Sequence, residues 1–132
     1  MIKIRVPASS ANVGPGFDSL GFAINLYNEF IIEKINDGIE TNIIDRTAGQ
    51  SSILSEEDNL FYHSLKRIYG RAGRNIDGLK LTEIINIPLA RGLGSSASAV
   101  IAGLVAGYYL MGNIFSEEEI IDLAIDIEGH PD

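Results

Sequence analysis

The chain contains no cysteine and no tryptophan. Without cysteine there is no disulfide to staple a small fold, no thiol nucleophile and no thiolate metal site. Stability must therefore come from a packed core, and chemistry from other groups. The same absence fits the cytoplasm. No run approaches the roughly 18 apolar residues of a membrane-spanning helix. The start, Met1-Ile2-Lys3-Ile4-Arg5-Val6, alternates like a half-buried strand and lacks the continuous apolar core of a secretory signal. Positive charge is also scarce, with ten Lys and Arg against 18 Asp and Glu and a net charge of −8. The imbalance is local. From Ser116 to Asp132 there are seven acids and no Lys or Arg, leaving eleven acids against ten bases elsewhere. No basic patch is present, so nucleic acid is not an expected partner. Internal repeats and low-complexity runs are absent as well. What remains is 132 residues, 45% hydrophobic and 21% charged, enough for one domain with a real core.

One stretch organises the chain: Pro88-Leu89-Ala90-Arg91-Gly92-Leu93-Gly94-Ser95-Ser96-Ala97-Ser98-Ala99. Before it, Leu79 to Ile87 reads as a strand rich in Ile and Leu. After it, Ala97 to Met111 is small and apolar at helical spacing, with Val100, Ile101, Leu104, Val105, Tyr108 and Leu110. Glycine lets backbone N–H groups crowd a ligand without a Cβ in the way, and the first turn of a helix offers free N–H donors and the positive end of its dipole. Together these make an anion site, for which phosphate is the usual anion. The pattern differs from a Walker loop, because Gly94 stands where the Lys would be. It also differs from the dinucleotide fingerprint, because Ala97 takes the third glycine's place; that substitution weakens such a site without excluding it. The plain structural alternative is a Gly-rich turn with Ser95 as an ordinary N-cap. The doubled Ser95-Ser96 argues against it, since a cap needs one hydroxyl and a second facing a phosphate could ligate magnesium. With so few bases, an anionic nucleotide would rely on helix N-termini, Arg91 and a metal.

In chain order, residues 2 to 6 form a first strand. Pro7 to Gly21, rich in Gly, Pro and Ser, is long for a plain connection, although Asn12 and Asp18 could simply be turn residues. Phe22 to Leu26 and Glu29 to Ile35 read as two strands. Asn36-Asp37-Gly38 is a strong turn before a strand from Ile39 to Ile44. Arg46 to Leu54 is loop. Ser55-Glu56-Glu57-Asp58 resembles a capping box ahead of a helix from Asn59 to Tyr69, with Leu60, Phe61, Leu65, Ile68 and Tyr69 on one face. His63 falls on the opposite side, as a surface histidine. Gly70 to Gly78 is loop. Gly112 ends the long helix, and Ser116 with Glu119 forms a second capping box. The helix that follows, to about Ile127, turns Ile120, Ile121, Leu123, Ala124 and Ile127 inward, with Glu118, Asp122 and Asp126 solvated. The order of elements indicates an α+β fold rather than a doubly wound sheet. The ending Glu128-Gly129-His130-Pro131-Asp132 is a turn signal with no closing element after it, and reads as the front part of a longer protein.

Three stretches, Pro7 to Gly21, Pro88 to Ala99 and Glu128 to Asp132, resemble the first two signature motifs and the acid-His-Pro-Asp corner of the GHMP small-molecule kinases. The resemblance covers nearly the whole chain, and the Pro-x-x-x-Gly-Leu-Gly-Ser-Ser-Ala string is highly specific in its context. It implies the family's N-terminal α+β domain over residues 1–132, like the second domain of ribosomal protein S5, with a left-handed βαβ unit and a C-terminal domain beyond this chain. It implies ATP and Mg²⁺ as cofactors, with Pro88, Leu89, Ala90, Arg91, Gly92, Leu93, Gly94, Ser95, Ser96, Ala97 and Ser98 wrapping the ATP phosphates and Ser96 and Glu128 holding the metal. Asn12, Asp18 and His130 match positions that bind the small-molecule substrate. The run from Pro7 to Asp18 and the Glu-Gly-His-Pro-Asp ending favour L-homoserine as the phosphate acceptor, in threonine biosynthesis. Phosphoryl transfer rests mainly on positioning and charge neutralisation, and Asp18 is the best candidate for a base. Other small alcohols, such as mevalonate or a diphosphocytidyl-erythritol, remain open, as does a non-catalytic nucleotide-binding fragment. Neither nucleic acid nor membrane is expected as a partner, and a homodimer is one option for assembly. The family's third glycine-rich motif, and the Arg residues expected at the substrate carboxylate, lie past residue 132.

Overall fold

The computed structural model describes residues 1–10, 22–47, 50–52, 59–87 and 95–128. Alternating side chains in the first half build β1 (Ile2–Ser10), β2 (Phe22–Lys34), β3 (Ile39–Asp45) and the short β4 (Gln50–Ser52). These are followed by α1 (Leu60–Arg71), β5 (Leu79–Ile85), α2 (Ser95–Leu110) and α3 (Glu117–Glu128). The strands form one sheet in the order β1-β2-β5-β3-β4. Among the described strands only β3 and β5 are parallel neighbours, joined by a crossover that carries β4 and α1. The architecture is the α+β arrangement expected.

Period-two alternation decides which face of the sheet is covered. Ile4 opposes Phe30, Ile2 opposes Ile32, and Ile32 opposes Leu81. These residues, with Leu79, meet Phe61 and Leu65 of α1 and Ala99, Ala102 and Ala106 of α2 in one core. Phe30 stacks on Phe61 with ring centroids 5.5 Å apart. On the opposite face Lys3 and Arg5 flank Glu29, at 3.3 and 3.7 Å.

Helix α2 carries no charged residue along its 16 positions. Such a helix must bury most of its surface, and two of its sides are covered, with Ile101 and Tyr109 left exposed. One side lies on the sheet and α1; another packs Val100 and Leu104 against Ile68, Met111, Phe115 and Leu123, a second core that seats α3. At Gly103 the helices α1 and α2 approach so closely that a Cβ would lie 2.0 Å from Ser64 Oγ and 2.4 Å from the Phe61 carbonyl oxygen. Helix α2 ends as its sequence indicates. Gly112 adopts φ 81°, the Asn113 N–H reaches the Tyr108 carbonyl (2.8 Å), and the Gly112 N–H reaches that of Tyr109 (3.3 Å). The second capping box is also present, with Glu119 N–H donating to Ser116 Oγ and Ser116 N–H donating to Glu119 Oε1, each at 3.1 Å.

Several expectations change. The two strands expected at Phe22 to Leu26 and Glu29 to Ile35 are one, because the break is a bulge. Pairing steps from Pro7–Tyr27 to Ala8–Ile24, leaving Asn25 and Leu26 as the extra residues. The Asn36-Asp37-Gly38 turn does not close a hairpin, since β5 inserts between β2 and β3. The Ile35 N–H donates to the Gly78 carbonyl and the Leu79 N–H to that of Gly38. The expected loop from Arg46 to Leu54 contains β4. Residues 55–58, expected as the first capping box, lie outside the described residues. The cap of α1 is Asn59, whose Oδ1 accepts from the Tyr62 N–H at 2.8 Å. Leu60 and Ile121, expected inward, are 42% and 50% exposed. Each lies one position off the stripe that the neighbouring elements cover. His63 is exposed, as expected.

Candidate functional site

Strand β5 runs into the glycine-rich stretch and α2 runs out of it. Residues 88–94 lie outside the described residues, as do Asn12, Asp18 and His130. Ser95 and Ser96 open α2 and Glu128 closes α3, but their side chains also lie outside the described set. What the structure describes is the frame on either side. The last inward residue before the stretch, Ile87, is completely buried, and Ser98, in the first turn of α2, is 1% exposed. No acidic residue stands in that first turn, so nothing of α2's own offsets the positive end of its dipole.

The two flanks are tied to one side chain. Asn28 of β2 is 1% exposed and lies on the helix-covered face, in phase with Phe30 and Ile32. Its Oδ1 accepts from the backbone N–H of Asn86 (2.8 Å) and of Ile87 (2.9 Å), while its Nδ2 donates to Ser98 Oγ (3.1 Å). Backbone N–H groups can only donate, so the amide's orientation is fixed: oxygen toward the strand end, nitrogen toward the helix. Asn86 returns the contact, its Nδ2 donating to the Tyr27 carbonyl at 2.8 Å. Arg5 lies over the Tyr27 ring, 4.2 Å from its centroid.

The anchors of the other motif emerge at the same end of the sheet. Ser10 pairs with Phe22 across the gap holding residues 11–21, and the end of β5 is bonded to Asn28 on the same strand. At the C-terminal side, Asp126 in the last turn of α3 pairs with Arg67 of α1.

A second buried polar group lies in the core. Glu83 of β5 occupies an inward position, opposite Phe30 on β2 and Ile43 on β3, and is 7% exposed. Burial pushes its carboxyl up to about 7. The Asn59 amide at the start of α1 lies close enough to oppose that rise, although its nitrogen makes no hydrogen bond of ordinary geometry. Among the described residues no cluster of three or more His, Asp or Glu side chains could hold a metal, and no helix is long and apolar enough to cross a membrane.

Neither Asn28, Asn86 nor Glu83 is singled out by the motif reading. The signal available was parity: Asn28 shares phase with Phe30 and Ile32, and Glu83 with Leu79 and Leu81. Treating Asn28 as the gap between two strands concealed the first.

The family model for the GHMP kinases N terminal domain matches residues 59–132. A homoserine kinase of Clostridium beijerinckii is 47% identical over all of this chain and 43% of its own length. One from Petrotoga mobilis is 47% identical over all of the chain and 42% of its length. The crystal structure of homoserine kinase from Cytophaga hutchinsonii superposes with a TM-score of 0.79 at 32% identity, covering 96% of this chain and 40% of that one. The chain thus spans less than half the length of the curated relatives it matches.

Proposed function

We propose that this chain, which belongs to the GHMP kinase family, supplies the ATP-phosphate-binding part of an enzyme that phosphorylates the hydroxyl of L-homoserine. The likeness to homoserine kinases over the chain's whole length carries the reading. The strand-to-helix frame around residues 88–94 supports it physically. A buried strand end, glycines and a helix N-terminus with no acid in its first turn suit a triphosphate.

In the reaction the homoserine hydroxyl oxygen bonds to the γ-phosphorus as the bond to the β–γ bridging oxygen breaks. ADP and O-phospho-L-homoserine leave, and the hydroxyl proton passes to a base or to water. Most of the barrier is lowered by alignment and charge neutralisation. Pro88 to Ser98 would hold the phosphates, with backbone N–H groups and Arg91 meeting the negative oxygens. Ser96 and Glu128 offer a hydroxyl and a carboxylate, hard oxygen donors of the type that suits magnesium. When bound, the ion would neutralise phosphate charge. Asn12, Asp18 and His130 would bind the amino acid, with Asp18 the candidate base. The cytoplasm and threonine biosynthesis are the proposed setting. Residues 1–132 would act as one domain, with the remainder of the substrate site contributed by a C-terminal part of the length its relatives have.

The test is ADP release coupled to a spectrophotometric readout, with L-homoserine or mevalonate, ATP and magnesium. It is run on a protein spanning the full length of the relatives. Turnover with homoserine and not mevalonate is expected. Turnover with mevalonate alone, or nucleotide binding without transfer to either, would replace the reading.

A further inference from the structure

The loop read as the phosphate site has two ends, and one side chain outside it holds both. We propose that Asn28 is a positioning residue for nucleotide binding: it fixes the spacing between the end of β5 and the first turn of α2, and so the span that residues 88–94 must bridge. The inference rests on the reading of Pro88 to Ser98 as the ATP-phosphate loop. It goes beyond that reading by giving the loop's geometry an external determinant on a different strand.

The geometry is specific. Two adjacent amides, Asn86 and Ile87, converge on one oxygen at 2.8 and 2.9 Å. Beyond Ile85, the last residue of β5, the backbone leaves the sheet, so Asn28 takes over where ladder bonds stop. The same side chain then spans to Ser98, seventy residues away from it in the chain and one helical turn past the glycines. The reciprocal bond from Asn86 Nδ2 to the Tyr27 carbonyl prevents the strand end from sliding along β2. Ordinary scaffolding would need only one of these ties. An interlock that bonds both flanks of one loop through a fully desolvated amide constrains the distance between them. Distance is what a phosphate cradle made of backbone N–H groups depends on.

Loss of Asn28 takes the shared acceptor from the Asn86 and Ile87 amides and cuts the strand's link to Ser98, which lets the flanks separate. Because the phosphates meet this loop and the amino acid does not, the effect should fall on ATP. In the full-length protein, Asn28→Ala should raise the KM for ATP about tenfold while the KM for homoserine moves less than about threefold. Amide hydrogen exchange at Asn86 and Ile87 should accelerate in the same variant. Asn28→Asp keeps oxygens for both amides and can accept a hydrogen bond from the Ser98 hydroxyl, so it should restore slow exchange and bring the ATP KM to within about threefold of wild type. Ile32→Val, four residues along the same strand, controls for core loosening and should leave the ATP KM unmoved.

Positioning is overturned if the ATP KM of Asn28→Ala changes no more than that of Ile32→Val, or if Asn28→Asp fails to rescue it. Should Asn28→Ala not fold, Asn86→Ala removes the reciprocal bond to the Tyr27 carbonyl and leaves Asn28 in place. An ATP KM raised about threefold in that variant supports the proposal, and an unchanged one overturns it. Wild-type protein that binds no fluorescent ATP analogue would instead sink the phosphate-loop reading itself, an outcome separate from intact wild-type binding with an unaffected Asn28→Ala.

Discussion

Glu83 shows how much a single side chain can cost a sheet. It takes an inward place between Phe30 and Ile43, where alternation calls for an apolar residue. An acid whose carboxyl is raised from 4.5 to about 7 by burial holds its proton more tightly in the folded protein than in the unfolded chain. Below about pH 4.5 both states are protonated. Between there and pH 7 the unfolded chain releases the proton while the folded one keeps it, so stability falls as pH rises, by at most about 1.4 kcal/mol per unit. Above about pH 7 that loss is complete. Glu83→Gln reproduces the neutral form in nearly the same shape. In the full-length protein its melting temperature, compared with wild type, should gain ground between pH 5 and pH 8. A difference that stays constant over that range would show that Glu83 does not titrate in this way.

Among the elements, the contact of α1 with α2 gives opposite signs for the same substitution at two glycines. At Gly103 an added methyl meets Ser64 Oγ and the Phe61 carbonyl, one of them backbone, so Gly103→Ala must push the helices apart at a cost of about 1–3 kcal/mol. At Gly70, exposed in α1 with nothing within 4 Å of the added carbon, alanine should stabilise by about 0.5–1 kcal/mol. Denaturant unfolding of the two variants measures both. A stabilised Gly103→Ala would mean the helices can separate freely.

These elements also show where a sequence is legible. Local signals carried through: Ser116 and Glu119 cap α3, Gly112 ends α2, and the uncharged run from Ser95 becomes the most surrounded helix. Signals that depend on partners did not. Nothing local in Asn36-Asp37-Gly38 reveals that β5, forty residues later, will slot between the strands it joins. Nor does the pattern at Asn25 to Asn28 distinguish a break from a bulge, since that depends on what β1 does opposite. The candidate site divides in the same manner. Its glycines and serines are visible as a string, whereas Asn28, bonded to Asn86 and Ile87 before them and to Ser98 after them, is visible only once β2 and α2 are seen side by side.

At the scale of the described domain, the sheet has the flanks of both proposed motifs at one end. The flanks of residues 11–21 and of 88–94 leave from that end, through Ser10 and Phe22 and through Asn86 and Ser98, and both are attached to β2. With ten bases against 18 acids, residues 1–132 offer little positive charge to the proposed triphosphate. On the proposed reading, backbone dipoles and a divalent ion would supply most of the neutralisation on this part of the protein. If Ser96 and Glu128 are ligands of that ion, as proposed, ATP should raise the melting temperature of the full-length protein far more with magnesium than with a chelator. A ligand at a hundredfold excess over its Kd contributes about 2.7 kcal/mol. Ser96→Ala and Glu128→Gln should each shrink the magnesium-dependent part of that rise and leave the melting temperature without ligand nearly unchanged. Either variant keeping the full magnesium-dependent rise would remove that residue from the metal site, and both doing so would move the ion elsewhere on the protein.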